Sequence, residues 1–302
     1  MINNNYKVAV STSMPHTALL YSAGQLALET LSRLADGKLG TVIQTFRNTI
    51  YVRTIDDTLV CITSHDIRGP FNLNIDDKVE FDMLGINEPV YKLNNILKIG
   101  DLEFPLENIP IPEEKEHCLI SGGLEIRVSQ AAGLLGIFGV EGTLLDSNSP
   151  FFRAASNGIK KITQAAKQDN FAELQNSIGS IVGLGSGSTP SGDDFLAGFL
   201  YCLRQLRDSS SSDCLKIRIE GKTSWHSRKF VEYAQRGFVI EQLEIFVNSV
   251  LSGTEEMIID STVNLIRIGH SSGIDSAFGV LVAASTSLDD AGCQAILKKL
   301  GL

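Results

Sequence analysis

The chain has 302 residues, of which 43% are hydrophobic and 20% are charged. This apolar content is enough for a packed core, so the composition excludes an intrinsically disordered protein. Acidic residues outnumber basic ones by 35 to 26, and the net charge of −9 argues against a protein that binds nucleic acid through a basic surface. The length predicts two domains or one large one.

Targeting signals and cysteines point to the compartment. The first residues, Met1 to Tyr6, are polar and unlike a signal peptide, and no apolar run approaches the roughly 18 residues that a membrane span needs. The five cysteines are scattered without a C-x-x-C pair, which is typical of reduced thiols. We therefore predict a cytoplasmic protein with no nucleic-acid or membrane partner.

The first predicted element is an amphipathic helix over residues 16–34, where Leu and Ala recur at helical spacing and Gly37 closes the helix. The period then changes to two, in three β-branched segments at residues 41–46, 49–53 and 58–63. A further strand is predicted at residues 78–84. Strands that follow one another directly favour antiparallel pairing, in a small sheet or a partly closed barrel.

Prolines and a charge run predict a domain boundary. Three prolines between residues 105 and 112 precede the charged segment 113–116, which indicates a solvated loop. We assign residues 1–115 to a β-rich domain with one leading helix and residues 116–302 to a mainly helical domain. The predicted fold class is therefore α+β, an N-terminal antiparallel sheet or barrel followed by helices.

The second domain begins with a predicted strand at residues 119–128 and is helical from residue 150 onward. Apolar residues recur every three to four positions in seven segments, at residues 152–167, 170–182, 193–206, 227–251, 255–268, 274–286 and 289–300. Gly237 is expected to break the fourth of these helices, and Ser227 is expected to be its N-cap.

The most informative segment is Gly183-Leu-Gly-Ser-Gly-Ser-Thr-Pro-Ser-Gly-Asp-Asp194, which leads directly into a predicted helix. Glycines let the backbone approach a ligand, and a helix start offers free N–H groups and partial positive charge. Hydroxyl groups add neutral donors. We predict a small-anion site here, with substrate-binding residues Gly185, Gly187, Ser188, Thr189, Ser191 and Gly192.

Two known phosphate motifs do not fit this segment. A P-loop needs Lys and then Ser or Thr after its second glycine, and the chain has Asp193 and Asp194 there. The dinucleotide fingerprint needs Gly or Ala where the chain has Pro190.

The two aspartates have two interpretations. Ser191 and Asp194 have the spacing of a capping box, and acidic residues in a first turn complement the helix dipole. Alternatively, Asp193 and Asp194 hold Mg²⁺ or orient a substrate amine. The interpretations are compatible, because two aspartates can divide the tasks.

A second cluster, Gly269-His270-Ser271-Ser272-Gly273, lies between two predicted helices, with Asp275 in the next first turn. His270 is the best acid–base candidate, because imidazole titrates near neutrality, but a histidine can also stabilise a helix C-terminus. Two such loops could converge on one pocket. The predicted catalytic residues are Asp193, Asp194, His270 and Asp275, and Ser271, Ser272 and Gly273 add binding groups.

These motifs resemble a bacterial family of formerly uncharacterised domains. The resemblance lies in Gly185-Ser-Gly-Ser-Thr-Pro-Ser-Gly-Asp-Asp-Phe-Leu-Ala-Gly198 and Gly269-His-Ser-Ser-Gly-Ile-Asp275. Thr223 and Ser227 before a helix, and Gly69-Pro70 in the first domain, extend it over most of the chain. The family includes the AllH-type subunit of the oxamate carbamoyltransferase of anaerobic allantoin degradation.

The resemblance implies a multi-subunit enzyme that converts oxalurate and phosphate into oxamate and carbamoyl phosphate. The implied partners are other subunits and a small anion such as phosphate, carbamoyl phosphate or an oxamate-like compound. In this hypothesis the 185–192 loop binds phosphate or a carboxylate, and Asp193 or Asp194 orients an amide N–H or a metal. His270 and the neighbouring serines polarise the substrate or move a proton.

Two other functions stay open at this point. One is an enzyme that depends on Mg²⁺ and ATP or an acyl phosphate, with the aspartates as metal ligands. The other is a non-catalytic scaffold subunit, in which the glycines serve tight helix packing.

Overall fold

The computed structural model describes the protein at residues 16–76, 79–110, 120–138, 141–207, 217–219 and 222–302. These residues form two compact units. One consists of the described residues of 16–66 and 71–110, and the other of residues 67–70 and the described residues from 120 onward. The first unit contains the strands and the second is helical, so the predicted α+β class is confirmed.

The first unit is one sheet and one helix, α1 (Gln25–Arg33). Its nine strands are β1 (His16–Thr17), β2 (Leu20–Ala23), β3 (Gly37–Phe46), β4 (Thr49–Thr54), β5 (Leu59–Thr63), β6 (Asn72–Ile75), β7 (Pro89–Leu93), β8 (Ile96–Ile99) and β9 (Leu102–Pro105). The strand order is β1-β9-β8-β7-β3-β4-β5-β6-β2.

The sheet curls, because its two end strands are neighbours in the chain. Only two residues separate β1 from β2, a stretch that spans about 10 Å, yet these strands lie at opposite ends of the strand order. β1 pairs with β9 and β5 with β6 in parallel, and the other neighbours are antiparallel. This is the mainly antiparallel, partly closed sheet that the sequence predicts.

The sequence interpretation is wrong at two places in this unit. Residues 16–23 pair as edge strands instead of beginning the helix, and Gly37, with φ +128°, opens β3 instead of closing the helix. Residues 79–84 are not a strand but end in a turn, in which the N–H of Leu84 donates to the carbonyl of Phe81, and the rest of that predicted strand lies outside the described residues. Pairing with distant strands, which local periodicity does not encode, decides the first case.

The helical unit has nine helices among its described residues. They are α2 (Leu124–Ile137), α3 (Pro150–Lys167), α4 (Phe171–Ile178), α5 (Ser191–Gln205), α6 (Trp225–Gln235), α7 (Glu241–Ser252), α8 (Glu255–Ile266), α9 (Ser272–Ser285) and α10 (Asp290–Lys299). None of the described helices is both long and apolar enough to cross a membrane.

The structure of this unit tests three of the sequence predictions. The strand predicted at residues 119–128 is wrong, since α2 begins at Leu124. The predicted break at Gly237 is confirmed, because this residue, with φ +90°, separates α6 from α7. Ser227 is not the N-cap of α6, because the hydroxyl of Ser224 accepts the backbone N–H of Ser227 at 3.3 Å. The charged segment 113–116 lies outside the described residues.

Helix α9 is the centre of the helical core, since every residue from Gly273 to Ser285 is buried. Apart from Asp275, its residues are apolar or small on all sides, as is typical of a helix surrounded by others. It packs against α5 and also contacts α2, α3, α7, α8 and α10.

The backbones of α5 and α9 touch where the helices cross. A Cβ at Gly279 would overlap the carbonyl oxygen of Phe195, and a Cβ at Gly198 would overlap the carbonyl oxygen of Ser276. Glycine is therefore required at both positions, and the same crossing brings the first turns of the two helices together.

Candidate functional site

The loop before α5 and the turn before α9 meet. The hydroxyl oxygens of Thr189 and Ser272 are 3.3 Å apart, although 83 positions separate these residues in the chain. The two glycine-serine segments, far apart in sequence, therefore line one place on the helical unit.

Free backbone donors surround this contact. Gly185 and Gly187 have φ of +116° and +101°, values that L side chains rarely adopt. Among the described residues, no hydrogen bond uses the N–H groups of Gly187, Ser188 or Thr189. The loop can therefore offer three backbone donors to a ligand without breaking a bond.

The first turns of the two helices are themselves partly satisfied. The N–H of Gly192 donates to the carbonyl of Leu184 at 2.7 Å, and the N–H of Gly273 donates to that of Ile268 at 3.1 Å. In α9, the N–H groups of Ser272 and Ile274 make no hydrogen bond with the described residues. The donors left for a ligand therefore come from the loop before α5 and from the start of α9.

Asp193 is a buried structural carboxylate, with 1% of its surface exposed. It accepts the N–H of Gly183 at 2.9 Å, the hydroxyl of Ser227 at 2.6 Å and the hydroxyl of Thr223. Both oxygens are thus engaged inside the protein, which favours a positioning role. The same bonds explain why Thr223 and Ser227 accompany the motif.

Asp194 lies beside the Thr189–Ser272 contact and is half-buried. The hydroxyl of Thr189 donates to its Oδ2 at 3.2 Å. Burial raises the pKa of Asp194 well above its usual range, and the charge of Asp275 raises it further, whereas the hydroxyls of Ser272 and Thr189 lower it. The capping-box interpretation is wrong, because Pro190 is the N-cap of α5 and no side chain caps this helix.

Asp275 is fully buried in the first turn of α9. Its Oδ1 accepts the backbone N–H of Leu144 at 2.7 Å, and its Oδ2 has no hydrogen-bond partner among the described residues. Burial raises the pKa of Asp275 to about 6, although the N–H of Leu144 and the hydroxyls of Ser191 and Ser271 favour the charged form. Such a group is typical of functional sites.

The structure places the two histidines of this region differently. His270 is exposed on the turn before α9, and no hydrogen bond joins it to the other described site residues. His226 on α6 is buried, with its Nε2 2.8 Å from the carbonyl oxygen of Ser188 and 3.2 Å from the hydroxyl of Ser224. Burial lowers the pKa of His226, against the raising effects of the Ser188 carbonyl and Asp193.

Sequence reasoning missed His226. Its local signal was a position two residues after Ser224, at the start of the helix that carries Ser227. In the structure its ring nitrogen contacts the carbonyl oxygen of Ser188 and so holds the 185–192 loop in place.

Metal binding has little support among the described side chains, where no group of three or more His, Cys, Asp or Glu residues could hold an ion. Both carboxylate oxygens of Asp193 already accept hydrogen bonds within the protein, so neither is available to a metal ion. Asp194 and Asp275 are the two carboxylates that are left at the site.

The comparison with protein families matches residues 181–284 to the model described as oxamate carbamoyltransferase subunit AllH. The matched segment contains both glycine-serine motifs and runs through α5 to α9, so the predicted resemblance is confirmed there. It covers about a third of the chain, which is less than the resemblance in sequence suggested. Searches of curated proteins and of solved structures find no match.

Proposed function

We propose that the chain is a subunit of a carbamoyltransferase similar to oxamate carbamoyltransferase. It binds a small anion where the loop before α5 meets the turn before α9. The contact between Thr189 and Ser272 carries this proposal, because it joins the two motifs of the segment that matches the AllH model.

In the proposed reaction, oxalurate and phosphate give oxamate and carbamoyl phosphate. The bond between the carbamoyl carbon and the oxamate nitrogen breaks, a phosphate oxygen bonds to that carbon, and the nitrogen takes a proton. This chain holds one substrate, and other subunits are its partners. It acts in the cytoplasm, where the buried free thiols of Cys61, Cys202 and Cys293 stay reduced.

The anion is held by neutral donors. The N–H groups of Gly187, Ser188 and Thr189 on one side, and of Ser272 and Ile274 on the other, are donors that a carboxylate or phosphate can use. Asp193 positions the loop, whereas Asp194 and Asp275 face the ligand or support the group that does. The roles predicted for His270, Ser271 and Gly273 are part of the same proposal.

A thermal-shift panel tests the proposal. Phosphate, carbamoyl phosphate, oxamate and oxalurate are each added at millimolar concentration, with chloride at matched ionic strength as the control. A ligand at about 100 times its Kd adds about 2.7 kcal/mol to the stability of the native state, which raises Tm by several degrees. If no ligand of the four raises Tm, the proposal is wrong.

A matched pair of variants locates the site. Thr189→Val removes the hydroxyl at the contact and is expected to reduce the Tm shift. Thr286→Val removes a hydroxyl at the opposite end of α9 and is expected to leave the shift unchanged.

A scaffold subunit is the second candidate, and one observation favours it. Gly192, Gly198, Gly273 and Gly279 all lie where a Cβ would overlap a backbone carbonyl oxygen, so helix packing alone requires them. A scaffold predicts that Asp194→Asn changes stability but leaves the activity of the assembled complex unchanged. The carbamoyltransferase proposal predicts loss of that activity.

A further inference from the structure

We propose that Asp194 and Asp275 form the acceptor for the amino group of a carbamoyl or other primary-amide ligand. The site would therefore select H₂N–C=O compounds over the same compounds with a methyl group in place of the amino group. This inference rests on the proposed function and names the end of the substrate that these residues recognise.

The first observation is the unused oxygen of Asp275. The side chain is fully buried, its Oδ1 is held by the N–H of Leu144, and its Oδ2 has no partner among the described residues. A buried acceptor without a donor is costly, so a ligand that brings a donor to it gains affinity. An amide N–H is such a donor.

The second observation is that none of the groups that act on the two carboxyls carries a positive charge. The charges of Asp275 and of Asp193 both act on Asp194. The other groups that act on them are the hydroxyls of Thr189, Ser191, Ser271 and Ser272 and one backbone N–H. On α6, His226 interacts with the charge of Asp193.

These two observations divide the site into two ends. Backbone N–H groups of the 185–192 loop suit the anionic end of a ligand, and the Asp194–Asp275 pair suits a donor group next to it. A carbamoyl compound has both ends. A methyl group in place of the amino group would leave the buried Oδ2 of Asp275 without a donor, which is the arrangement that gives strong discrimination.

Isothermal titration calorimetry on the full chain tests this with two isosteric pairs, oxamate against pyruvate and carbamoyl phosphate against acetyl phosphate. In each pair an NH₂ group is replaced by CH₃. We expect the amino compound to bind at least about tenfold more tightly. Asp194→Asn and Asp275→Asn, which put a donor in place of an acceptor oxygen, are expected to reduce this preference severalfold. Glu255→Gln, an exposed first-turn acid on α8, is the matched control and should not change it.

The pH dependence of the preference gives a second readout. Burial raises the pKa of Asp194, so its ionised fraction grows as the pH rises. Burial also raises the pKa of Asp275, to about 6. An ionised carboxylate accepts from the amino group, so the ratio of pyruvate Kd to oxamate Kd should increase as the pH rises through about 6. The increase should be smaller in Asp194→Asn and in Asp275→Asn, where one of the two carboxyls no longer titrates.

The outcomes separate the two proposals. Equal affinity within both pairs, or a preference that both folded Asp variants retain, overturns the amide inference, while binding of phosphate and pyruvate would still support the proposed anion site. If neither pair nor phosphate binds, the proposed function is overturned and the inference falls with it.

Discussion

The hydroxyl of Ser227 on α6 donates a 2.6 Å hydrogen bond to the carboxylate of Asp193 on α5. The same carboxylate accepts the N–H of Gly183, so one side chain joins the start of the loop to the start of α6. Its sequence neighbour Asp194 lies on the other side, beside Thr189 and Ser272. Two adjacent aspartates therefore have different tasks, one inside the protein and one at the site.

Asp193→Asn is expected to lower the free energy of unfolding by about 2–4 kcal/mol, because the amide nitrogen cannot accept from its hydroxyl donors and a buried network loses its charge. Ser227→Ala, which removes one of the bonds, should cost about 1–2 kcal/mol. Urea unfolding measures both. If Asp193→Asn is no less stable than Asp194→Asn, the positioning role of Asp193 is contradicted.

Gly279→Ala is expected to destabilise the protein by about 1–3 kcal/mol, because the added Cβ forces α5 and α9 apart at the carbonyl of Phe195. Gly136→Ala on α2 is the control, since a Cβ there meets nothing within 4 Å. It should be neutral or stabilise the helix by about 0.5–1 kcal/mol. Equal effects of the two substitutions, measured by urea unfolding, would argue against backbone contact at the crossing.

Asp275→Asn is expected to stabilise the protein at neutral pH. The pKa of Asp275 is raised to about 6 in the folded state, so the folded state binds this proton more readily than the unfolded chain does. The resulting stability is complete below the unfolded pKa near 3.9 and is lost as the pH rises through about 6, a penalty of up to about 3 kcal/mol. Asp275→Asn does not titrate, so the variant does not suffer this penalty as the pH rises.

Unfolding free energies of wild type and Asp275→Asn at about pH 4 and about pH 7.5 check this. The variant should be the more stable only at the higher pH. A difference that does not change with pH would show that the carboxyl does not titrate as a buried group. Glu255→Gln serves as the control.

His226→Gln is expected to make the free energy of unfolding fall less at acid pH than it does in the wild type. The pKa of His226 is lowered in the folded state, so the unfolded chain takes up this proton first as the pH falls below about 6.5, and folding is then disfavoured. Glutamine can still donate to the carbonyl of Ser188 but does not titrate. Denaturation between about pH 5 and about pH 8 should therefore show a smaller acid-side loss in the variant than in the wild type. Identical slopes would contradict the assignment.

Local patterns predicted the parts of the fold that one chain segment decides by itself. The helices from residue 150 onward have an apolar stripe facing a core, and the β3–β4 hairpin has alternating residues around Arg47-Asn48. The β7–β8 hairpin was missed, although Asn94 and Asn95, with φ of 48° and 62°, are the residues that a two-residue turn with positive φ prefers.

Other elements are decided by contacts with distant segments of the chain, which local sequence patterns do not reveal. The segment Leu20–Ala23 has apolar residues at helical spacing but pairs with β6, at least 50 positions away. The first turns of α2 contain the β-branched Ile126 and Val128, which favour the strand predicted at residues 119–128.

The site was predictable as two segments but not as one place. Glycine, hydroxyl and acid content identified both segments, and only the crossing of α5 and α9 shows that they meet. The division between Asp193 and Asp194 depends on α6, and so does the position of His226, whose partner Ser188 is 38 positions away.

The most direct measurement of the central claim is the affinity of the full chain for oxamate and for pyruvate, by titration calorimetry, in wild type and in Asp194→Asn. Wild type is expected to bind oxamate at least about tenfold more tightly than pyruvate, and the variant is expected to lose most of this preference. If wild type binds neither oxamate nor pyruvate nor phosphate, the proposed anion site is contradicted. If it binds oxamate and pyruvate equally well, the amide acceptor formed by Asp194 and Asp275 is contradicted.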